Sequence, residues 1–225
     1  MLIFPIYLVY ELGVLLIPEV YNGADLLTAE LLSLLHGDRV TYILINLGLG
    51  LGLLLFTLLL RRRGHFEPRR FVSILLESLF YAVTMGSFIL FVMQRLLHID
   101  PQLAVAAAAH RMPRDVNVIA RVILSCGAGV HEELLFRLMM ISALTFLGAK
   151  LLKLRPFVGV IVAFVFSSLL FSAAHHVIGG EPWHVGVFTY RFLCGLFFAS
   201  IFYWRGLAVA VYSHAIYDIF VLVLS

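Results

Sequence analysis

The 225-residue chain is 62% hydrophobic and only 13% charged, with a mean hydropathy of +1.03, far outside the range of soluble globular domains. Its 16 basic and 13 acidic residues give a net charge of +3, but the basic residues sit at the ends of apolar runs with no aromatic-interleaved basic stretch, which excludes nucleic acid as a partner. The expectation is one integral membrane domain over residues 1–225, an all-α polytopic bundle whose solvent is the lipid bilayer.

Taken in chain order, residues 1 to about 20 lack the basic start and small-residue cleavage site of a signal peptide, and are read as a first span that holds Pro5, Glu11 and Pro18. Residues 24–36 place Leu27, Leu31, Leu34 and Leu35 on one face, which predicts a short interfacial helix. A second span covers 40–60, where the glycines of LGLGLG at 47–52 would let a neighbouring helix approach closely. The run RRRGHFEPRR at 61–70 is the strongest charge cluster and predicts a cytoplasmic loop, followed by a span over 71–97.

Threading from that anchor puts 98–114 outside, returns the chain inward over 115–152, and places Lys150, Lys153 and Arg155 inside. Spans over 156–178, 185–204 and 206–225 complete about seven crossings, six to eight allowing for error, with the N-terminus cytoplasmic and the C-terminus outside. GGEPWH at 179–184 is an outer turn, and Trp183 and His184 fit an interfacial belt. Cys126 and Cys194 lie in apolar runs without a partner pattern and are read as buried small residues.

Glu132, Glu133, Arg137, His175, His176, His214 and Asp218 all fall in or near apolar spans. A charge at the bilayer centre costs on the order of 2.5–3.5 kcal/mol, so this number of them argues for a built polar site. Glu133 and Arg137 are four residues apart on one helix face and predict a buried ion pair. Glu132 is turned about 100° away from Glu133 and is the carboxylate available to a cavity. His214 and Asp218 repeat the four-residue spacing on the last helix. His131 and His176 flank these positions, Glu11 and Glu77 are read as polar groups at packing interfaces, and Arg121 and Arg191 either pair with a carboxylate or contact a substrate carboxy terminus.

Several protease chemistries are excluded. HEELL at 131–135 starts like a zincin HExxH but carries Leu135 in place of the second histidine, no GxSxG occurs, and Asp218 is the sole aspartate deep in a span.

Three motifs then occur in order. EELLFR at 132–137 has the pattern EExxxR, FSAAH at 171–175 has FxxxH, and HAIYD at 214–218 has HxxxN/D. Together they resemble the CAAX prenyl protease and bacteriocin-processing family, also called the abortive-infection family, over roughly residues 115–225. RFLCGLFFASIFYWRGL at 191–207 also resembles the segment before that family's last motif. Residues 1–114 contribute no motif to the resemblance.

The resemblance implies an intramembrane endopeptidase acting on a membrane-anchored protein or peptide precursor, and the compact chain leads to the expectation of a bacterial inner membrane. The resemblance makes Glu132 the base that takes a proton from water, has His175 orient that water, and sets His214 and Asp218 beside the scissile carbonyl. Glu133, Arg137 and Phe171 take supporting roles, and Arg191 is the candidate for substrate binding. No cofactor is expected. Glu132, His175, His214 and Asp218 would be the ligand set if zinc were used. Position 218 departs from relatives that often carry Asn, since an ionised aspartate cannot donate to an oxyanion. A proton-coupled transporter and a non-catalytic immunity or scaffold protein of the same fold are the alternative readings.

Overall fold

The computed structural model describes residues 2–17, 34–36, 38–61, 68–109, 116–178 and 181–224. Helices are the only regular elements among them. In chain order they are α1 (Phe4–Leu16), α2 (Arg39–Arg61), α3 (Pro68–Phe91), α4 (Gln102–Ala109), α5 (Val118–Glu132), α6 (Pro156–Val177), α7 (Val185–Arg205) and α8 (Leu207–Leu224). Helix α3 runs on as a π-wound turn over Val92–Leu96, and α5 runs on as π-helix over Glu133–Ile141 and then α-helix over Ser142–Lys150. Residues 24–33, most of the expected interfacial helix, and 62–67, most of the basic loop, lie outside the described residues.

The ends of these helices follow local chemistry. Pro5 and Pro156 stand in the first turns of α1 and α6, where the missing N–H costs nothing. Asn117 caps α5, its Oδ1 accepting from the N–H groups of Ile119 and Ala120 at 2.7 and 3.3 Å. His184 caps α7, its Nδ1 accepting from the Gly186 N–H at 3.1 Å. The turn from α7 to α8 is one residue, Gly206, whose φ of +87° is open to glycine at little cost.

Three helical stretches, Arg69–Leu96, Pro156–Val177 and Val185–Arg205, are long and apolar enough to cross a membrane, and Phe4–Leu16, Val40–Gly52 and Leu207–Val223 are shorter apolar helices. Large side chains such as Leu55, Phe80, Phe157 and Trp204 point outward, as expected of a surface that faces lipid. The polar groups turn inward. This is a helical bundle built for the membrane.

Packing centres on α5 and α8, the most extensive helix pair, with α1 and α3 closing two sides and α6–α7 a third. One apolar cluster joins α1, α5 and α8 through Tyr10, Val14, Leu124, Val130, Val211 and Ala215. Another joins α3, α6, α7 and α8 with the π segment through Met85, Ile89, Phe136, Phe171, Phe198 and Ala210.

Glycine packing falls elsewhere than the LGLGLG run predicts. Gly48 and Gly52 meet no described atom within 4 Å, and Gly50 meets only Tyr7. The close approaches are at Gly13 against Ile123, Gly127 against Tyr10, Gly129 against Ala215, and Gly195 against Ser168. An added Cβ at any of the four would come within 3.0 Å of the neighbour, so these small residues let the helices touch.

Candidate active site

The site forms where the middle of α5, the last turn of α6 and the middle of α8 meet. Glu132 is the final α-helical residue before the winding of α5 changes at Glu133. A π turn rotates the residues after it relative to an α-helix, and such turns are frequent at functional sites. Here both neighbouring glutamates reach the interior. Glu132 and Glu133 have no exposed surface, and Arg137, His175, His214 and Asp218 are all nearly inaccessible.

Glu133 and Arg137 form the predicted pair, Oε1 to Nη1 at 3.2 Å. The guanidinium also donates from Nη2 to the Gly195 carbonyl at 3.4 Å and lies over the ring of Phe171, 4.5 Å from its centroid, with Phe198 and Phe136 further out. The enclosed cation is thus opposed by one carboxylate, one carbonyl and aromatic faces.

The same Glu133 Oε1 lies 2.8 Å from Nδ1 of His214, which a pairwise reading of the helix did not anticipate. Because a carboxylate only accepts, His214 carries its proton at Nδ1 and turns Nε2 to the opposite side. There Nε2 stands 3.7 Å from Glu132 Oε2 and 3.8 Å from Asp218 Oδ2. The ring of Phe198 stacks on this imidazole at 4.4 Å and 14°.

His175 is set in a parallel way. Its Nδ1 lies 2.9 Å from the Phe171 carbonyl one turn back, so Nδ1–H donates and Nε2 is left as an acceptor, 3.9 Å from Glu132 Oε2. Phe171 packs against His175 at 4.7 Å and meets His214 edge-on at 6.2 Å. One carboxylate oxygen of Glu132 is thus flanked by two imidazole Nε2 atoms. Both gaps exceed a direct hydrogen bond and suit a bridging water.

Zinc holds nitrogen and oxygen ligands at about 2.0–2.2 Å, which sets the ligand atoms of a tetrahedral site roughly 3.4 Å apart. The separations of 3.9, 3.7 and 3.8 Å here are wider. Among the described residues no group of three or more His, Cys, Asp or Glu has the spacing of a metal site.

The structure brings together Glu132, Glu133, Arg137, Phe171, His175, His214 and Asp218, all of which the sequence nominates. The last helix spans 18 residues, and α5 changes winding at the site.

Residues 114–220 match the family model described as Type II CAAX prenyl endopeptidase Rce1-like. That stretch runs from just before α5 to the fourth turn of α8 and contains every residue of the site. That stretch, the Rce1-like domain below, is similar to this family. No curated protein and no solved structure matches the chain. The chain's apolar helices, with this similarity to a family of CAAX endopeptidases, mark it as an integral membrane protein.

The other nominated residues make contacts outside this cluster. Arg191, on α7 of the Rce1-like domain, is buried and pairs with Glu181 through Nε and Nη2. Arg121 donates to the carbonyls of Val116 and Leu222 and ties α5 to the end of α8. Glu77 of α3 pairs with Arg205 at the end of α7. His131 lies 3.8 Å from Glu11 and edge-on to Tyr10, joining α1 to the Rce1-like domain. His176 stacks on Trp183 at 4.5 Å. Sequence reading missed Phe198 and Gly195, for which only the RFLCGLFFASIFYWRGL resemblance gave a signal.

Proposed function

We propose that the Rce1-like domain is the catalytic unit of an intramembrane endopeptidase that hydrolyses a peptide bond near the membrane boundary of a membrane-anchored protein or peptide precursor. The observation that carries this reading is the convergence of the Nε2 atoms of His175 and His214 on Glu132 Oε2 in a buried setting.

Water bound between Glu132 and His175 donates one hydrogen to each and keeps a lone pair for the scissile carbonyl carbon. As the C–O bond forms, the water proton passes to Glu132 and negative charge moves to the carbonyl oxygen. His214 in its doubly protonated form donates Nε2–H to that oxyanion, with Glu133 balancing the charge at Nδ1. Collapse of the tetrahedral intermediate breaks the C–N bond, and the proton on Glu132 goes to the leaving nitrogen. Asp218, on the Nε2 side of His214, places a polar group beside the scissile carbonyl. No resident metal is part of this scheme.

The basic clusters at 61–70 and 150–155 favour a cytoplasmic N-terminus and a site opening outward, which suits exported precursors of a bacterial inner membrane. The test is cleavage of membrane-anchored candidate substrates by purified protein and by Glu132→Ala, each with and without a strong chelator. Cleavage by wild type alone, indifferent to chelation, is the expected result. Loss on chelation with recovery on adding zinc overturns the metal-free mechanism, and equal cleavage by Glu132→Ala overturns the assignment of the base.

A further inference from the structure

His175 lies in the last turn of α6, which ends at Val177. The last carbonyls of a helix have no partner within it, and such turns fray. A residue that must hold a water against Glu132 is therefore carried by the least constrained part of its helix. The structure shows what restrains it. The Glu181 N–H donates to the His175 carbonyl at 3.1 Å. The Glu181 carbonyl accepts from Nδ1–H of His176 at 3.1 Å. The Glu181 carboxylate grips Arg191 on α7 through both of its oxygens. One residue thus bonds to two adjacent residues of the turn and anchors them to the neighbouring helix.

Two further contacts act in the same direction. Trp183 lies against the His176 ring at 4.5 Å and 21°, and Ser172 donates to the Phe188 carbonyl at 2.8 Å one turn earlier. Both side chains of the Glu181–Arg191 pair are nearly buried, so solvent screens it little.

We infer that Glu181 is a positioning residue for catalysis, which with Arg191 braces the end of α6 so that His175 Nε2 is held toward Glu132. This rests on the hydrolytic reading above, and on that reading Arg191 serves as the anchor of the brace instead of a substrate receptor. A misplacement near 1 Å from loss of a remote support costs on the order of 100-fold in rate, so the brace is expected to appear in turnover.

The experiment uses the full-length protein in detergent micelles and compares wild type with Glu181→Ala, Glu181→Gln and the exchanged pair Glu181→Arg with Arg191→Glu. Two readouts are taken on each: kcat and KM for a cleaved substrate, and the ¹⁵N histidine resonances of His175, assigned with His175→Gln. Glu181→Ala is expected to lower kcat about tenfold or more while KM stays within about twofold. Its His175 resonances shift or broaden, and the exchanged pair returns both readouts toward wild type. Unchanged His175 resonances in Glu181→Ala overturn the inference, as does a raised KM with kcat intact, which would make the pair part of substrate binding. If the alanine variant does not fold, Glu181→Gln is judged by the same criteria. Failure of wild type to cleave any substrate overturns the hydrolytic reading, while the resonances still decide the brace.

Discussion

Glu133 Oε1 touches an imidazole and a guanidinium at once, His214 Nδ1 at 2.8 Å and Arg137 Nη1 at 3.2 Å. The residue that reads as half of a structural pair is therefore also what orients the imidazole across the site. Structure and chemistry are separable by substitution. Glu133→Ala leaves the Arg137 guanidinium buried without its carboxylate and is expected to lower stability by about 3–5 kcal/mol. Glu133→Leu with Arg137→Met removes both charges and is expected to recover most of that stability while cleavage stays at background, because His214 has lost its acceptor. Thermal unfolding in detergent beside a cleavage assay checks this, and recovered activity in the double variant would show that Glu133 serves the ion pair alone.

Asp218 closes HAIYD, the last of the three motifs, whose pattern HxxxN/D admits either Asn or Asp at that position. Its Oδ2 lies 3.8 Å from His214 Nε2, on the side that faces Glu132 and not on the Nδ1 side that Glu133 holds. Glu133 already orients His214, so the requirement at 218 is a polar group beside the reacting carbonyl. Asp218→Asn is expected to keep kcat within about tenfold of wild type, since the amide adds a donor, and Asp218→Ala to lose about 10- to 100-fold. Steady-state cleavage by the two variants decides it. Equal loss in both would mean that the negative charge itself is required.

The four-residue spacings of Glu133 with Arg137 and of His214 with Asp218 were legible because helical periodicity alone puts such residues on one face. The helical architecture was legible for a related reason: long apolar runs can satisfy their backbone in lipid only as helices or closed barrels. What periodicity cannot give is contact between helices. The bond from Glu133 to His214 joins residues 81 apart, and nothing in EELLFR announces that the helix changes winding at its second glutamate. Glu181 was illegible because it sits in a loop with no period to read. Phe198 is one of 19 phenylalanines, and only its position opposite His214 singles it out.

Gly129 stands one turn before Glu132 and Glu133 at the contact of α5 with α8. A Cβ there would come within 2.9 Å of the Ala215 Cβ and backbone N and of the Val211 carbonyl oxygen. Backbone atoms cannot swing aside, so the helices themselves must part. Gly129→Ala is expected to destabilise by about 1–3 kcal/mol and to lower cleavage by widening the gap between Glu132 and His214. Gly48→Ala, with open space around it, is the control and is expected to leave cleavage unchanged and stability unchanged or raised by up to about 1 kcal/mol. Wild-type cleavage in Gly129→Ala would show that the α5–α8 spacing has slack.

Phe198 lies face to face with the His214 imidazole, and its ring is 5.5 Å from the Arg137 guanidinium carbon. Such a stack contributes about 0.5–1.5 kcal/mol beyond area burial and fixes the plane of the imidazole. Phe198→Leu keeps most of the volume in a well-packed core, so its stability cost is expected to stay below about 1.5 kcal/mol. Its effect on turnover is expected to be larger, a fall in kcat of about tenfold, because Nε2 must point at the carbonyl oxygen within a narrow angle. Phe198→Tyr retains the face, yet it must place a hydroxyl in a buried apolar cluster, so it tests shape less cleanly than leucine. Measured together, a kcat that falls in proportion to unfolding free energy would assign Phe198 to the core, and a kcat that falls while the melting temperature holds would assign it to the aim of His214.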